Sequence, residues 1–310
     1  MDISAIIVNW NTKDLLVQCI LSLKKSGFQG RLEILVVDNG SQDGSVEFIR
    51  EHFPEVCLIP NKENLGFAKA NNLGIQKSSG RYLCFVNSDV VVLGDCLAKL
   101  CDFMDQHPSV GIVGPRVLKP DLTVQDSCRK FPSPMTAFCD LAGPLWGGKL
   151  GRCREHMTEF AHDKLISVDS LVGCFLFVRR QALEESGCFD ERFFIYSEET
   201  DLCRRFRDKG WEIVFSPDAS IIHHHGASSS KDPGRFFVEL YRSKIKYWKK
   251  HHSLPRQAAF LLFFYLYHIS RILGFALKSR ILPPGKREGA LLRIKAHRKC
   301  MKLPFALDSN

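Results

Sequence analysis

Asp89 stands at the end of an apolar run, Tyr82-Leu83-Cys84-Phe85-Val86, from which it is separated by Asn87 and Ser88. The run is short, rich in β-formers and preceded by the turn pair Ser79-Gly80, which predicts a buried strand. A carboxylate at the C-terminal end of a strand in an open α/β sheet lies where such sheets bind ligands. There it can hold a divalent cation, and the cation can hold a diphosphate. Taken alone, Asn87-Ser88-Asp89 is more readily an Asx-turn capping the strand. A second carboxylate, Asp38, ends the run Val36-Val37-Asp38-Asn39-Gly40-Ser41 and can accept hydrogen bonds from a base N–H or a ribose hydroxyl, or simply form a turn. The acids Glu198, Glu199 and Asp201 follow one another closely, and adjacent carboxylates repel, which raises the pKa of one and suits it to act as a general base. The alternative for them is a solvated helix N-terminus. Among Ile222-His223-His224-His225-Gly226, an imidazole could complete a metal site begun by Asp89.

The elements that would position these groups alternate. Strands are predicted at Ile3-Asn9, Glu33-Asp38, Tyr82-Asn87 and Gly111-Gly114, with helices over 12–25, 45–52, 66–77 and 96–106. Such alternation implies a mostly parallel sheet with helices on both faces. The loop Asn61-Lys62-Glu63-Asn64-Leu65-Gly66 opens a helix and offers free N–H groups to an anion, with Asn71 and Asn72 one turn further on. From Val117 to His162 the pattern weakens around many Pro and Gly residues, including a bulky turn at Gly143-Pro144-Leu145-Trp146-Gly147. Order returns with the apolar segment Ser167-Arg179, which holds one acid, Asp169, then a helix bearing the acid cluster, then short strands at Trp211-Ser216 and Ser220-His224.

Composition narrows the setting. No charged segment followed by an apolar one opens the chain, and the twelve cysteines show neither a C-x-x-C pair nor a zinc-like spacing. This fits a reducing cytosol better than a disulfide framework. The net charge of +9 is concentrated late, at Lys244, Lys246, Lys249 and Lys250 and again from Lys278 to Lys302, beside an aromatic and apolar stretch. That combination favours an anionic membrane surface over nucleic acid as partner. Within 258–277 the uninterrupted apolar part ends at Tyr267, too short for the roughly 20 residues of a span, so a helix lying in the membrane surface is expected, with a helix packed on the globular body as the alternative.

Together and in order, VVDNGSQDGS, NLGFAKANNLGI, FVNSD and FDERFFIYSEETDLCRR resemble a family-2 glycosyltransferase, from the branch that includes bacterial rhamnosyltransferases of cell-surface polysaccharide assembly. The resemblance runs from Ile3 to about Ser228 and implies a GT-A-type α/β fold and inverting transfer from a nucleotide-diphosphate sugar. It implies a nucleotide-sugar-binding half at 1–115, an acceptor and catalytic half at 116–230, and a helical, basic and aromatic C-terminal extension at 231–310. By the same resemblance Asn9 and Asp38 contact base and ribose, and Asn64, Gly66 and Asn71 lie close to the nucleotide. Asn87-Ser88-Asp89 is the metal-and-diphosphate element, with Asp89 and His223 on a Mn²⁺ or Mg²⁺ ion. Asp169 and Gly173 line the sugar and acceptor pocket, and Glu199 is the base, with Glu198 or Asp201 able to share the task. The first acid of the usual D-x-D is Asn87 here, and the usual Glu-Asp pair is Glu198-Glu199, so the base is one methylene longer.

The implied partners are a nucleotide-diphosphate sugar, with thymidine-diphosphate rhamnose the donor the resemblance suggests, and a lipid-linked or polysaccharide acceptor. The implied location is the cytoplasmic face of the cell membrane. Two other readings remain: a GT-A-type module that binds nucleotide or glycan without turnover, and a nucleotidyltransferase. The second would want a basic Gly-rich loop near the N-terminus, and Val8-Asn9-Trp10-Asn11-Thr12 offers none.

Overall fold

Side chains alternate along each strand, and here both faces of the strands are apolar. Ile3, Ala5 and Ile7 point one way and Ile6 the other; Ile34 and Val36 oppose Leu35 and Val37; Cys84 and Val86 oppose Leu83 and Phe85. A sheet buried on both faces must be covered by helices on both. In the computed structural model, which describes residues 2–142, 155–226 and 229–306, that is the arrangement found. The turn expected at Gly143-Pro144-Leu145-Trp146-Gly147 and residues Ala227 and Ser228 lie outside the described residues.

The chain divides into two compact units, Met1–Phe131 with His156–Phe194 and Glu198–Ser228, and Pro132–Glu155 with Ile195–Ser197 and Ser229–Asn310. In chain order the elements are β1 (Ile3–Asn9), α1 (Lys13–Lys24), β2 (Leu32–Asp38), α2 (Ser45–His52), β3 (Cys57–Pro60), α3 (Phe67–Lys77), β4 (Tyr82–Asn87) and β5 (Val90–Val92). There follow α4 (Cys96–Gln106), β6 (Val110–Leu118), β7 (Cys128–Arg129), α5 (Pro134–Ala142), β8 (Ile166–Ser167), β9 (Ser170–Leu171), β10 (Phe175–Arg179) and α6 (Arg180–Ser186). The last are α7 (Glu198–Asp208), β11 (Glu212–His223), α8 (Pro233–His251), α9 (Leu254–Ile281), α10 (Pro284–Met301) and α11 (Leu303–Ala306).

The first unit is a nine-stranded sheet in the order β3-β2-β1-β4-β10-β6-β11-β5, with β8 pairing β11 off this path. β3, β2, β1, β4, β6 and β11 run one way, and β10, β5 and β8 run against them. The expected mostly parallel sheet is therefore present. Leu16, Cys19 and Ile20 of α1 and Leu97, Leu100 and Met104 of α4 cover one face. Ala68 and Ile75 of α3, Leu183 of α6 and Leu202 and Phe206 of α7 cover the other. Each large apolar side chain so buried contributes about 1.5–3 kcal/mol, which makes this two-sided core the main support of the sheet edge above it.

Two local differences from the expected elements shape the functional edge. The segments Trp211-Ser216 and Ser220-His224 form one strand, β11, whose register against β6 shifts between Ser216 and Ser220. Pro217 cannot donate to a ladder, so it is accommodated in this bulge. Before the bulge β11 pairs with β8, and after it with β5. The stretch read as irregular from Val117 to His162 contains the end of β6, the strand β7 and the helix α5.

The second unit is helical. Trp248 of α8 stacks on Phe260 of α9 with ring centroids 4.6 Å apart, and α10 packs along α9. Between α9 and α10, His268 Nδ1 lies 2.8 Å from His297 Nδ1, with both side chains buried. Burial, and then the neighbouring His297, push the His268 pKa down to about 3, so this pair is neutral in the fold. A histidine whose folded pKa lies below its unfolded value near 6.5 contributes stability that is present above that value and is lost as pH falls toward the folded pKa. The thermal midpoint is accordingly expected to fall between pH 7.5 and pH 5. A His268→Leu/His297→Leu variant should lose most of that pH dependence, and an unchanged dependence in the variant would exclude the pair as its source.

Candidate active site

Strand register builds the site. Parallel pairing of β1 with β2 sets Asn9 opposite Asp38, and pairing of β1 with β4 sets Val8 opposite Asn87. Three polar residues thus end three adjacent strands at one edge, the edge at which such sheets bind ligands. They are joined by hydrogen bonds. Asn9 Nδ2 donates to Asp38 Oδ1 at 2.8 Å and to Ser41 Oγ at 3.1 Å, and Asn9 Oδ1 accepts from Thr12 Oγ1 at 2.7 Å. Ser88 Oγ lies 2.7 Å from the Thr12 hydroxyl, and Asp38 Oδ2 accepts from the Ser41 N–H at 2.8 Å. Asn9 is fully buried, and its side-chain amide makes three hydrogen bonds inside the protein. Truncating it would strand several buried groups at about 1–3 kcal/mol each. Thr12 and Ser41 are not among the expected site residues; a hydroxyl just before α1 and another directly after Gly40 are the only traces they leave in the sequence.

The loop before α3 is fixed from the side of the acid helix. Asn64 Oδ1 accepts from the Gly66 N–H at 2.9 Å, and Phe67 N–H donates to Phe194 O at 2.6 Å. Gly66 has φ +86°, and a Cβ there would stand 2.4 Å from the Phe194 carbonyl oxygen, so only glycine fits. Asn71 is buried, its Nδ2 donating to Phe67 O at 3.0 Å, while its Oδ1 has no hydrogen-bond partner among the described residues.

Beyond Asn87 the chain turns at Ser88 and Asp89 and starts β5, which pairs antiparallel with the end of β11 so that Val90 faces His223. This pairing carries the His223 ring to the Asp89 carboxylate: Nε2 lies 3.3 Å from Oδ1, and both side chains are buried. Gln125 Oε1, 3.1 Å from Nδ1, accepts that N–H and turns Nε2 toward Asp89. Burial disfavours the imidazolium, but Cys174 and Asp89 outweigh it and push the His223 pKa up to about 10. A proton therefore fills the gap between imidazole and carboxylate, where a divalent cation would displace it. Among the described residues no three His, Cys, Asp or Glu side chains gather into a metal cage. The protein offers one hard oxygen ligand and one imidazole, a pair that fits a cation whose remaining ligands are diphosphate oxygens and water.

The acids lie at the start of α7, just after Tyr196 and Ser197, two consecutive non-glycine residues in the left-handed region (φ 69° and 65°). They do not form a solvated helix end: Glu198, Glu199 and Asp201 are 4%, 5% and 0% exposed. A helix N-terminus returns about 0.3–1 kcal/mol per acid, less than the cost of burying an unpaired charge, so each needs a partner or a proton. Asp201 pairs with Arg205 at 2.9 Å, and Arg205 also donates to the carbonyls of Ser186, Gly187 and Cys188; this acid anchors α7 to the chain after α6. Glu199 Oε1 accepts from Arg129 Nη1 at 3.3 Å. Burial, and then the charge of Glu199, raise the Glu198 pKa well above the ordinary carboxylate range. Of the two acids, Glu198 is the one pushed toward its protonated form, while Glu199 faces the Arg129 guanidinium.

One turn joins the two charged centres. A Cβ on Gly173 would stand 3.3 Å from Glu199 Cβ, so Glu199 lies against bare backbone there. The next residue, Cys174, accepts the Asn87 N–H through its carbonyl at 2.9 Å, and its thiol bears on His223. Asp169, expected to line the sugar and acceptor pocket, is half-buried and accepts the Phe131 N–H at 3.0 Å, which pins the segment bearing Arg129. Arg129 itself was not expected: it occupies a two-residue strand whose partner, β9, lies forty residues downstream, and nothing local in the sequence signals it.

The chain resembles known proteins. The profile of Glycosyl transferase family 2 matches residues 4–187. An N-acetylglucosaminyl-diphospho-decaprenol L-rhamnosyltransferase of Mycobacterium tuberculosis is 30% identical over 238 residues, covering 72% of this chain and 76% of that protein. Mannosyltransferase PcManGT from Pyrobaculum calidifontis, solved with GDP-Man and Mn²⁺, has a TM-score of 0.60 at 15% identity, covering 98% of this chain and 87% of its own. GalNAc-T7, solved with UDP, GalNAc and Mn²⁺, has a TM-score of 0.54 at 15% identity, covering 82% of this chain and 52% of its own. At these identities the two structures bear on the fold, which is of the GT-A type. The profile spans more than half of the 310 residues and the mycobacterial relative most of both chains, and so this chain belongs to glycosyl transferase family 2, whose work is the transfer of sugars.

Proposed function

We propose that this glycosyltransferase moves a sugar, rhamnose foremost, from a nucleotide-diphosphate donor to a hydroxyl of a lipid-linked or polysaccharide acceptor, with inversion, at the cytoplasmic face of the membrane. The observation that carries the reading is the convergence, around the Gly173-Cys174 turn, of the buried Asp89–His223 pair and the buried Glu199. Its support for rhamnose and a lipid-linked acceptor is the name of the mycobacterial relative.

In this mechanism the strand ends bearing Asn9, Asp38 and Ser88 hold the base and ribose side of the donor on a rigid polar edge. A divalent cation, Mn²⁺ or Mg²⁺, held by Asp89 and His223 would supply positive charge beside the departing diphosphate. Glu199 takes the proton from the acceptor hydroxyl as that oxygen attacks the anomeric carbon from the face opposite the diphosphate, which inverts the configuration. Arg129 and Glu198 keep the charge on the right acid: the guanidinium favours ionised Glu199, and the neutral Glu198 does not repel it. The Asx-turn at Asn64 and the glycine at 66 hold the loop before α3 in place beside this edge.

Calorimetric titration with dTDP, UDP and GDP, each with Mn²⁺ and with EDTA, tests the donor site. One nucleotide should bind only with metal, and Asp89→Ala and His223→Ala should abolish that binding; a folded protein that binds none of the three would refute the site. For the base, Glu199→Gln is expected to lower turnover by about 10²–10⁴-fold while the donor dissociation constant stays put. Parallel loss of donor affinity would remove Glu199 from the role. Taking away the guanidinium with Arg129→Met makes the Glu198–Glu199 pair hold its proton to higher pH, so the acidic limb of kcat/KM should move upward and Arg129→Lys should bring part of it back. An unmoved limb would show that Arg129 does not govern the pair.

A further inference from the structure

Helix α9 is 28 residues long and, by length and composition, could cross a membrane. Its packing argues otherwise. One side is committed to the helical unit: Phe260, Phe264 and His268 recur every four residues and are buried, with His268 against His297 of α10. The other side carries an aliphatic stripe, Leu262, Leu266, Ile269, Leu273 and Leu277, spaced by three and four residues and 43–64% exposed. An α-helix places residues so spaced on a single face.

The partner helix decides how this stripe can meet a bilayer. Only Leu282 and Pro283 separate α9 from α10, a link short enough to make the two antiparallel neighbours. α10 exposes Arg287, Lys295 and Arg298, and Lys302 directly after it is exposed too, again at helical spacing. From Leu254 to Lys302 the chain carries eleven Lys and Arg and a single acid, Glu288. A spanning α9 would drag these charges into the hydrocarbon, or would have to break the buried contacts that join it to α10. A helix lying in the surface does neither: its stripe enters the acyl region while the cations stay among headgroups. The same charges select the partner. A second copy meeting this face through a two-fold axis would set like charge against like charge, and the stripe lacks the aromatic anchors typical of protein interfaces. An anionic lipid surface neutralises the charge and receives the stripe.

We propose that the α9–α10 hairpin docks flat on an anionic bilayer, with the Leu262–Leu277 face of α9 as the inserted surface and the cations of α10 as the headgroup contacts. This deepens the proposed function and rests on its lipid-linked acceptor. The full-length protein is tested by co-sedimentation with vesicles of phosphatidylcholine alone and of phosphatidylcholine with phosphatidylglycerol, and each variant is also titrated with nucleotide and Mn²⁺. Binding is expected only to the anionic vesicles, weakening with salt, and the bound protein should be released by alkaline carbonate. Leu266→Glu/Leu273→Glu and Lys295→Glu/Arg298→Glu should each weaken vesicle binding about tenfold or more without altering nucleotide binding. Resistance to carbonate would mean a span, and binding unaffected by either variant would mean another surface. Dimerisation abolished by the leucine variants, with no vesicle binding, would mean that a second copy covers the stripe. Each of these overturns the proposal. Loss of nucleotide binding in a protein that still binds vesicles would instead refute the donor site and leave the docking face standing.

Discussion

The antiparallel pairing of β5 with the end of β11 is the constraint on which the site depends. Asp89 and His223 are 134 residues apart, and no helix or loop of either joins them; three residues of a short strand set against the last three of a long one do. The bulge in β11 makes this possible, because it lets the strand leave β8 and take up β5 without leaving β6. Were β11 to slip by one residue beyond the bulge, every side chain after it would change faces, and His223 would turn away from Asp89. The buried face of Ile221 holds that register: the same slip would bring Ile221 out of the core.

Such a site is costly to the fold, and the fold answers the cost locally. Two buried carboxylates side by side would repel, and removing one partner from a buried ion pair costs roughly 3–5 kcal/mol. Here Glu198 is neutral, Glu199 faces Arg129 and Asp201 is taken by Arg205. Asp38 and Asn9 satisfy one another and their neighbours. What is left under-satisfied, such as Asn71 Oδ1, lies in the loop-and-helix region that the family resemblance places near the nucleotide. Polar groups held without partners in a rigid setting are groups already arranged for a ligand.

Much of the frame was legible in the sequence because it is encoded locally. β1, α2, α4 and β4 run over the residues that alternation, helical spacing and turn signals indicate. β3 and β5 were not foreseen, since three or four residues carry no period, and β11 was read as two strands because Pro217 and Asp218 look like a turn. The C-terminal extension is legible as helical, but the bounds of α10 are not, because its charged face hides a narrow buried stripe of Ala290, Ile294 and His297. The same division holds in the site. Asp38, Asp89 and Glu199 are marked by the strand ends and acid cluster around them, whereas Arg129, Gln125 and Cys174 acquire their positions from pairings forty or more residues long, which a single sequence does not display.

In the proposed mechanism the base is Glu199, where the family resemblance leads one to expect an aspartate. Its reach is set by what flanks it. A Cβ on Gly173 would lie 3.3, 3.4 and 3.6 Å from Glu199 Cβ, Cγ and Cδ, so the side chain packs against the glycine from Cβ to Cδ. Arg129 takes one oxygen at its tip. A flexible glutamate in a roomy pocket would lose side-chain entropy on adopting one reactive pose. Held between backbone on one side and a guanidinium at its end, this one has lost that freedom before any acceptor arrives. The extra methylene then changes where the carboxylate ends, not how firmly it is held, and if Glu199 is the proposed base the acceptor hydroxyl is expected one bond further from α7 than an aspartate would require.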